Sequence, residues 1–231
     1  GTGSGLLAML AVRAGASHVY TCERQPALAE TAREIVARNG MADRITVLAC
    51  DAREAELPQR ADVFVAEIVN NHLLGEAVVP LTRRARRRFL VPGAALLPGV
   101  VSTWGCLATG GAPFRATTSM GFDVTPLNRF TPPIVCAGPG GGGAELLSEP
   151  QELLRFDLAS DAEPAPRRLE LRALRAGVAE GVIRWNRLDF GGGVVLENRP
   201  PRVSRSWFPC LHLFPSPLPV EPGDRVTVEV S

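Results

Sequence analysis

Three groups of residues have the types and spacing to do chemistry. The first is Gly1-Thr2-Gly3-Ser4-Gly5, a glycine-rich turn that runs into the apolar pair Leu6-Leu7. Glycines carry no Cβ, so the backbone N–H groups of such a turn can approach a ligand closely. The second is Glu23, about 20 residues further on, the distance at which a carboxylate accepts hydrogen bonds from hydroxyls of a ribose. The third is Glu67 with Glu76, nine residues apart after the apolar run Val63-Phe64-Val65-Ala66. Two carboxylates on a loop that folds back can grip one guanidinium through paired charge-assisted hydrogen bonds. A plainer alternative stays open: Glu67 accepts from a backbone N–H, and Glu76 is an exposed first-turn residue at the positive end of a helix.

The glycine spacing narrows the ligand. A dinucleotide fingerprint, G-x-G-x-x-G, has its third glycine at position 6, where this chain has Leu6. G-x-G-x-G is the spacing of S-adenosylmethionine (SAM) methyltransferases; an ordinary glycine turn is the alternative. Asp51-Ala52 stands at the usual adenine position of that fold class, where an acid reaches the adenine amino group and a backbone N–H reaches its ring. A strand-end turn residue is the competing reading of Asp51.

These groups need elements to hold them. Gly5 to about Ala14 has small residues and Leu at helical spacing. Ser17 to Cys22 reads as a short strand that ends at Glu23. Pro26 suits the first turn of a helix over Ala27 to Asn39, stopped by Gly40. Ile45 to Cys50 and Ala61 to Ala66 are strands that end at Asp51 and Glu67. Leu74 to Leu90 reads as a helix closed by Pro92-Gly93. This alternation predicts a parallel, doubly wound α/β sheet with its ligand at the carboxyl edge. After about Leu96 the texture changes to short β-rich runs between Gly and Pro clusters, as in an antiparallel sandwich or barrel. Gly138 to Gly143 reads as a flexible loop.

Bulk properties exclude several classes. The 231 residues are 45% hydrophobic and 21% charged, with net charge +1, so no bulk electrostatic case exists for nucleic acid or an anionic membrane. No apolar run reaches about 18 residues, so no transmembrane helix is expected. Every basic residue is Arg. Arg83, Arg84, Arg86, Arg87 and Arg88 spread around a helix rather than forming one stripe; a solvated surface and a dock for an acidic partner are the two readings. Five unpatterned cysteines read as reduced thiols of an intracellular protein, with cytoplasm and nucleus both open. His18, His72 and His212 show no metal spacing, so no metal is expected. A glycine turn of this kind is fed by a buried strand and nothing precedes Gly1, so the sequence reads as a fragment.

Taken together, the motifs resemble the protein arginine methyltransferase family, closest in texture to its seven-type branch. Gly1, Gly3, Gly5 and Glu23 match the family's cofactor positions, with Leu6 beside them. Ala66-Glu67-Ile68-Val69-Asn70-Asn71-His72-Leu73-Leu74-Gly75-Glu76 matches its double-E loop. Leu97-Pro98-Gly99 resembles the entry to its β-barrel, Gly121-Phe122-Asp123 a motif beside its dimerisation arm, and Ser206-Trp207 its Thr-His-Trp motif. The resemblance implies a class I Rossmann-like SAM-binding domain over residues 1–96 and an antiparallel β-barrel domain over 97–231. It further implies methyl transfer from SAM to arginine in protein substrates, with Glu67 and Glu76 catalytic and Trp207 walling the substrate channel. A homodimer with an arm near residues 107–133 follows from the same source. Three departures stand against the pattern. Ser206 replaces the His that orders the acidic loop, the segment before the glycine turn is missing, and the barrel stops early. They leave the fragment's own activity open, and Asn70 stands where the seven-type branch has Asp. Two rivals remain: another SAM-dependent methyltransferase, and a non-catalytic paralogue that acts as an assembly partner.

Overall fold

The computed structural model describes residues 1–202 and 206–230. The chain forms two compact units: Gly1–Ile68 with Ala77–Pro98, and Val69–Glu76 with Gly99–Ser231.

The first unit alternates helix and strand: α1 (Leu6–Arg13), β1 (Val19–Cys22), α2 (Pro26–Arg38), β2 (Ile45–Leu48), β3 (Ala61–Val65), α3 (Val78–Arg88) and β4 (Leu90–Leu97). Both strand pairs, β1 with β2 and β3 with β4, are parallel. Ala29, Ala32 and Val36 of α2 recur on one helical face and pack with Ala8, Val12, Ile45 and Val47. Small side chains there let the helices lie close to the β1–β2 pair.

Two elements differ from the sequence expectation. The third helix begins at Val78, not Leu74, because Leu73 and Ala77 are left-handed, with φ of 61° and 62°, a conformation a right-handed helix cannot pass through. The chain also does not break at Pro92-Gly93. A strand runs through them, and its register on β3 skips from Leu90, opposite Ala61, to Ala95, opposite Val63. The proline and glycine thus fall in a bulge, where no ladder N–H is required.

The second unit holds β5 (Val100–Ala108), β6 (Thr118–Ser119), β7 (Phe122–Asp123), β8 (Ile134–Cys136), β9 (Gln151–Asp157), β10 (Arg167–Arg172), β11 (Gly177–Asp189), β12 (Val195–Glu197), β13 (Cys210–Val220) and β14 (Arg225–Val230). Six strands form one antiparallel sheet in the order β8-β13-β11-β5-β9, with β12 also on β11. β6 and β7 make a small hairpin. β10 and β14 pair separately, and Leu169, Val226, Val228 and Val230 of that pair pack on Leu107, Leu153 and Val182 of the sheet. Side-chain packing, not a continuous hydrogen-bond ladder, joins these strands around their core among the described residues. Alternation along β11 sends Val182 into this cluster and Ile183 and Trp185 into a second one with Cys106 and Leu211.

Candidate active site

The glycine turn is sewn to the end of β1. Thr2 N–H donates to the Cys22 carbonyl at 2.8 Å and Gly5 N–H to the Thr2 carbonyl at 2.9 Å. Gly3 and Gly5 have φ of 55° and 81°, and Gly5 caps α1. Gly5 also lies against α2, where an added Cβ would sit 3.3 Å from Val36 Cγ2. Leu6 follows, more than half exposed.

Glu23 closes this turn from below. It is 6% exposed. Its Oε2 accepts from Gly3 N–H and its Oε1 from Gln25 N–H, both at 3.1 Å. Burial pushes the carboxyl pKa up, but the Gln25 and Gly3 amides outweigh it and hold the group below its ordinary value. An ionised acceptor is therefore fixed beside Gly1, whose Cβ, if present, would lie 3.3 Å from Glu23 Oε2. The expected cofactor residues Gly1, Gly3, Gly5, Leu6 and Glu23 thus gather at one turn.

Asp51 and Ala52 follow β2, the parallel neighbour of β1. Asp51 accepts from the Arg53 backbone N–H at 2.8 Å, from Arg53 Nε at 3.0 Å and from Arg53 Nη2 at 2.7 Å. The Arg53 side chain first, then its backbone amide, holds the Asp51 carboxyl far below the usual carboxylate range. Asp51 is thus a turn residue engaged by Arg53 in this structure. Glu67 follows β3 near the end of the first unit's leading segment.

In the second unit, Val69, Asn70, Asn71, His72, Glu76, Ser206 and Trp207 line a depression of about 230 Å3. Glu76 and Trp207, two of the expected substrate residues, share it. The loop bearing Glu76 is fastened from several strands. Asn186 Nδ2 donates to the Asn70 carbonyl at 2.7 Å, Phe208 N–H donates to Asn71 Oδ1 at 2.8 Å, and the Cys210 thiol lies 3.7 Å from the Asn71 carbonyl. Within the loop, His72 N–H donates to Asn70 Oδ1 at 2.9 Å. Leu73 is its one deeply buried apolar anchor besides Val69.

Sequence reasoning missed the fastening residues. It gave loop order to the family His, replaced here by Ser206, and assigned no fastening role to Asn70, Asn71, Asn186 or Arg184. The available signal was Asn70-Asn71 itself, since two adjacent amides in an apolar loop have to find partners. Arg184 Nη2 meets His72 Nδ1 at 2.8 Å, and Arg184 Nε donates to His212 Nε2. Burial, then Arg184 and His72, pushes the His212 pKa down from 6.5 to about 4. Burial also pushes the Cys22 thiol up to about 11 and Cys106 up to about 12, so neither is a reactive thiolate. Trp185 is core, 1% exposed, with its indole N–H on Glu197 at 2.6 Å. Among the described residues no cluster of three or more His, Cys, Asp or Glu is placed to hold a metal ion.

Comparison with known proteins bears on this arrangement. Residues 1–103 match the family model of ribosomal protein L11 methyltransferase (PrmA). An arginine N(omega)-methyltransferase of Streptomyces achromogenes subsp. streptozoticus is 36% identical over 243 residues, spanning all of this chain and 66% of the relative. Protein arginine N-methyltransferase 7 of Drosophila erecta is 28% identical over 228 residues, spanning 87% of this chain and 32% of the relative. The chain therefore spans less than two thirds of the length of these relatives. A solved structure described as the Trypanosoma brucei PRMT1 enzyme-prozyme heterotetrameric complex with AdoHcy superposes with a TM-score of 0.88, covering 98% of this chain and 75% of that one at 22% identity. That likeness establishes the fold, a Rossmann-like methyltransferase domain followed by a β-barrel. With its glycine turn, buried Glu23 and double-E motif, the chain is similar over its whole length to an arginine methyltransferase.

Proposed function

We propose that this chain transfers a methyl group from SAM to a guanidinium nitrogen of arginine. Gly1, Gly3, Gly5, Leu6 and Glu23 hold the cofactor, with Asp51 and Ala52 at the neighbouring strand end. The observation that best supports this is Glu76 and Trp207 sharing one depression on a loop fastened through Asn70 and Asn71. A guanidinium is delocalised and stays charged, with a pKa above about 12, so it is a poor nucleophile. Glu67 and Glu76 hold it in line with the sulfonium methyl and draw its positive charge toward one nitrogen. The nitrogen forms a bond to the methyl carbon, the S–C bond breaks with its electron pair going to sulfur, and a proton leaves the alkylated nitrogen. Positioning and electrostatics carry the step.

The partner is an arginine-containing substrate. Protein arginine is the substrate class named for the Drosophila relative, whereas the Streptomyces relative's name specifies only arginine. The chain's own arm is residues 107–133. It projects Met120, Phe122 and Phe130, which are 96%, 73% and 74% exposed, and an apolar tip of that kind calls for a covering surface. A second copy of the chain is the proposed cover, giving a homodimer.

Methyl transfer from labelled SAM in the intact protein tests the reading, with an Arg peptide beside its Lys counterpart. Label on the Arg peptide alone, lost in Glu67→Gln with SAM still bound, is the expected result. Label on Lys favours another SAM methyltransferase. SAM binding without any transfer favours the non-catalytic paralogue.

A further inference from the structure

Arg184 projects from β11 with its guanidinium between two imidazoles, donating to His212 Nε2 and to His72 Nδ1. A guanidinium offers five N–H donors and no acceptor. Both ring nitrogens facing it therefore accept, and both imidazoles are neutral. His72 then carries its proton on Nε2, as a donor held in one tautomer.

Within this unit no described carboxylate pairs with Arg184, and the nearby Cys210 thiol is pushed up by burial and supplies no counter-charge. A half-buried cation without an anion costs free energy unless something else compensates it. His72 lines the same depression as Glu76 and Trp207. The depression therefore offers a carboxylate that takes a cation and an N–H donor, backed by an uncompensated positive charge, that takes an anion.

We propose that His72 and Arg184 form a carboxylate-binding subsite beside the guanidinium position, with His72 in contact and Arg184 as its positioning residue. The inference rests on the guanidinium-methylating reading above. Two sources supply such a carboxylate: the α-carboxylate of free arginine, or an acidic side chain next to the target arginine in a peptide.

The test uses the intact protein with SAM bound, and reads both calorimetric binding and methyl transfer. One probe pair is L-arginine and agmatine, which differ only in the carboxylate. The other is an arginine peptide flanked by Glu or by Gln. The expected result is a tenfold or greater preference for the carboxylate-bearing member of at least one pair. Arg184→Gln and His72→Phe abolish that preference. His72 is exposed, so its variant does not depend on a repacked core. Preference within the first pair identifies free arginine, and within the second an acidic peptide. Equal binding of both members in both pairs, or a preference that survives both variants, overturns the subsite. Carboxylate preference without methyl transfer overturns the methylation reading and keeps the subsite; transfer without preference does the reverse. No binding of any probe overturns both.

Discussion

Asn186, 1% exposed on β11, donates its side-chain N–H to the main-chain carbonyl of Asn70 at 2.7 Å. Its own backbone N–H donates to Asn198 Oδ1 at 2.8 Å. A polar chain inside the barrel thus reaches out to the acidic loop. Asn186→Leu removes the donor and strands the Asn70 carbonyl, which costs about 1–3 kcal/mol. The expected outcome is a lower denaturant midpoint and a loss of methyl transfer at unchanged SAM affinity. Full transfer in a folded Asn186→Leu variant would show that the loop does not need this tether.

Gly75 is fixed by the same loop packing. A Cβ there would fall 2.0 Å from Asn70 Nδ2, and Asn70 cannot swing aside without giving up the His72 N–H. Gly75→Ala is expected to destabilise by about 1–3 kcal/mol through overpacking. Adding Asn70→Gly should recover part of that loss. A double-mutant cycle with no coupling above about 0.5 kcal/mol would rule out the clash.

Acid should weaken the second unit through His212. Its imidazole titrates near 6.5 when unfolded and at about 4 when folded. Above 6.5 both states are neutral, so this residue adds no pH dependence. Between 6.5 and about 4 the unfolded chain takes a proton that the folded one refuses, and stability falls as pH falls. Urea midpoints at pH 7 and pH 5 should differ more in the parent than in His212→Gln. Equal pH slopes in the two proteins reject the assignment.

Glu23→Ala removes the acceptor for two backbone N–H groups, each a charge-assisted bond worth about 1.5–3 kcal/mol. The glycine turn loses its brace as well as its proposed ribose contact. SAM binding measured by calorimetry should weaken at least tenfold. Glu23→Gln keeps one acceptor oxygen and is expected to fall between the two.

Phe122→Ala with Phe130→Ala strips the arm of its two most exposed rings. Both lie outside the buried clusters, so folding stability should stay within about 0.5 kcal/mol. Sedimentation should show the proposed dimer reduced to monomer. An unchanged sedimentation coefficient removes the arm from the assembly.

The first unit was the more legible half in the sequence. Its helix faces, its strand ends and the Gly3–Glu23 relationship all follow local rules of period, glycine and distance. Local rules failed where long-range pairing overrode them. Pro92-Gly93 read as a stop and lies in a bulge of β4. β13 contains Pro215, Pro217 and Pro219, which read as breakers. Proline at every second position puts the missing N–H groups along one edge, and the pairing of β13 on the β8 side ends where Leu213 N–H donates to the Pro133 carbonyl, before the prolines begin. In the acidic loop the carboxylates were visible as a pair. Their supports were not, because Arg184 and Asn186 come from a strand more than 100 residues away in sequence, and only the register of β11 brings them to the loop.

The division into two units also separates the chromophores. All three tryptophans, Trp104, Trp185 and Trp207, belong to the second unit, and the sole tyrosine, Tyr20, belongs to the first. Indole emission, excited where phenol does not absorb, therefore reports through side chains of the second unit. Melting followed by that emission beside backbone ellipticity, to which the helices and strands of both units contribute, needs no label, and a gap between the two midpoints means that the units unfold independently.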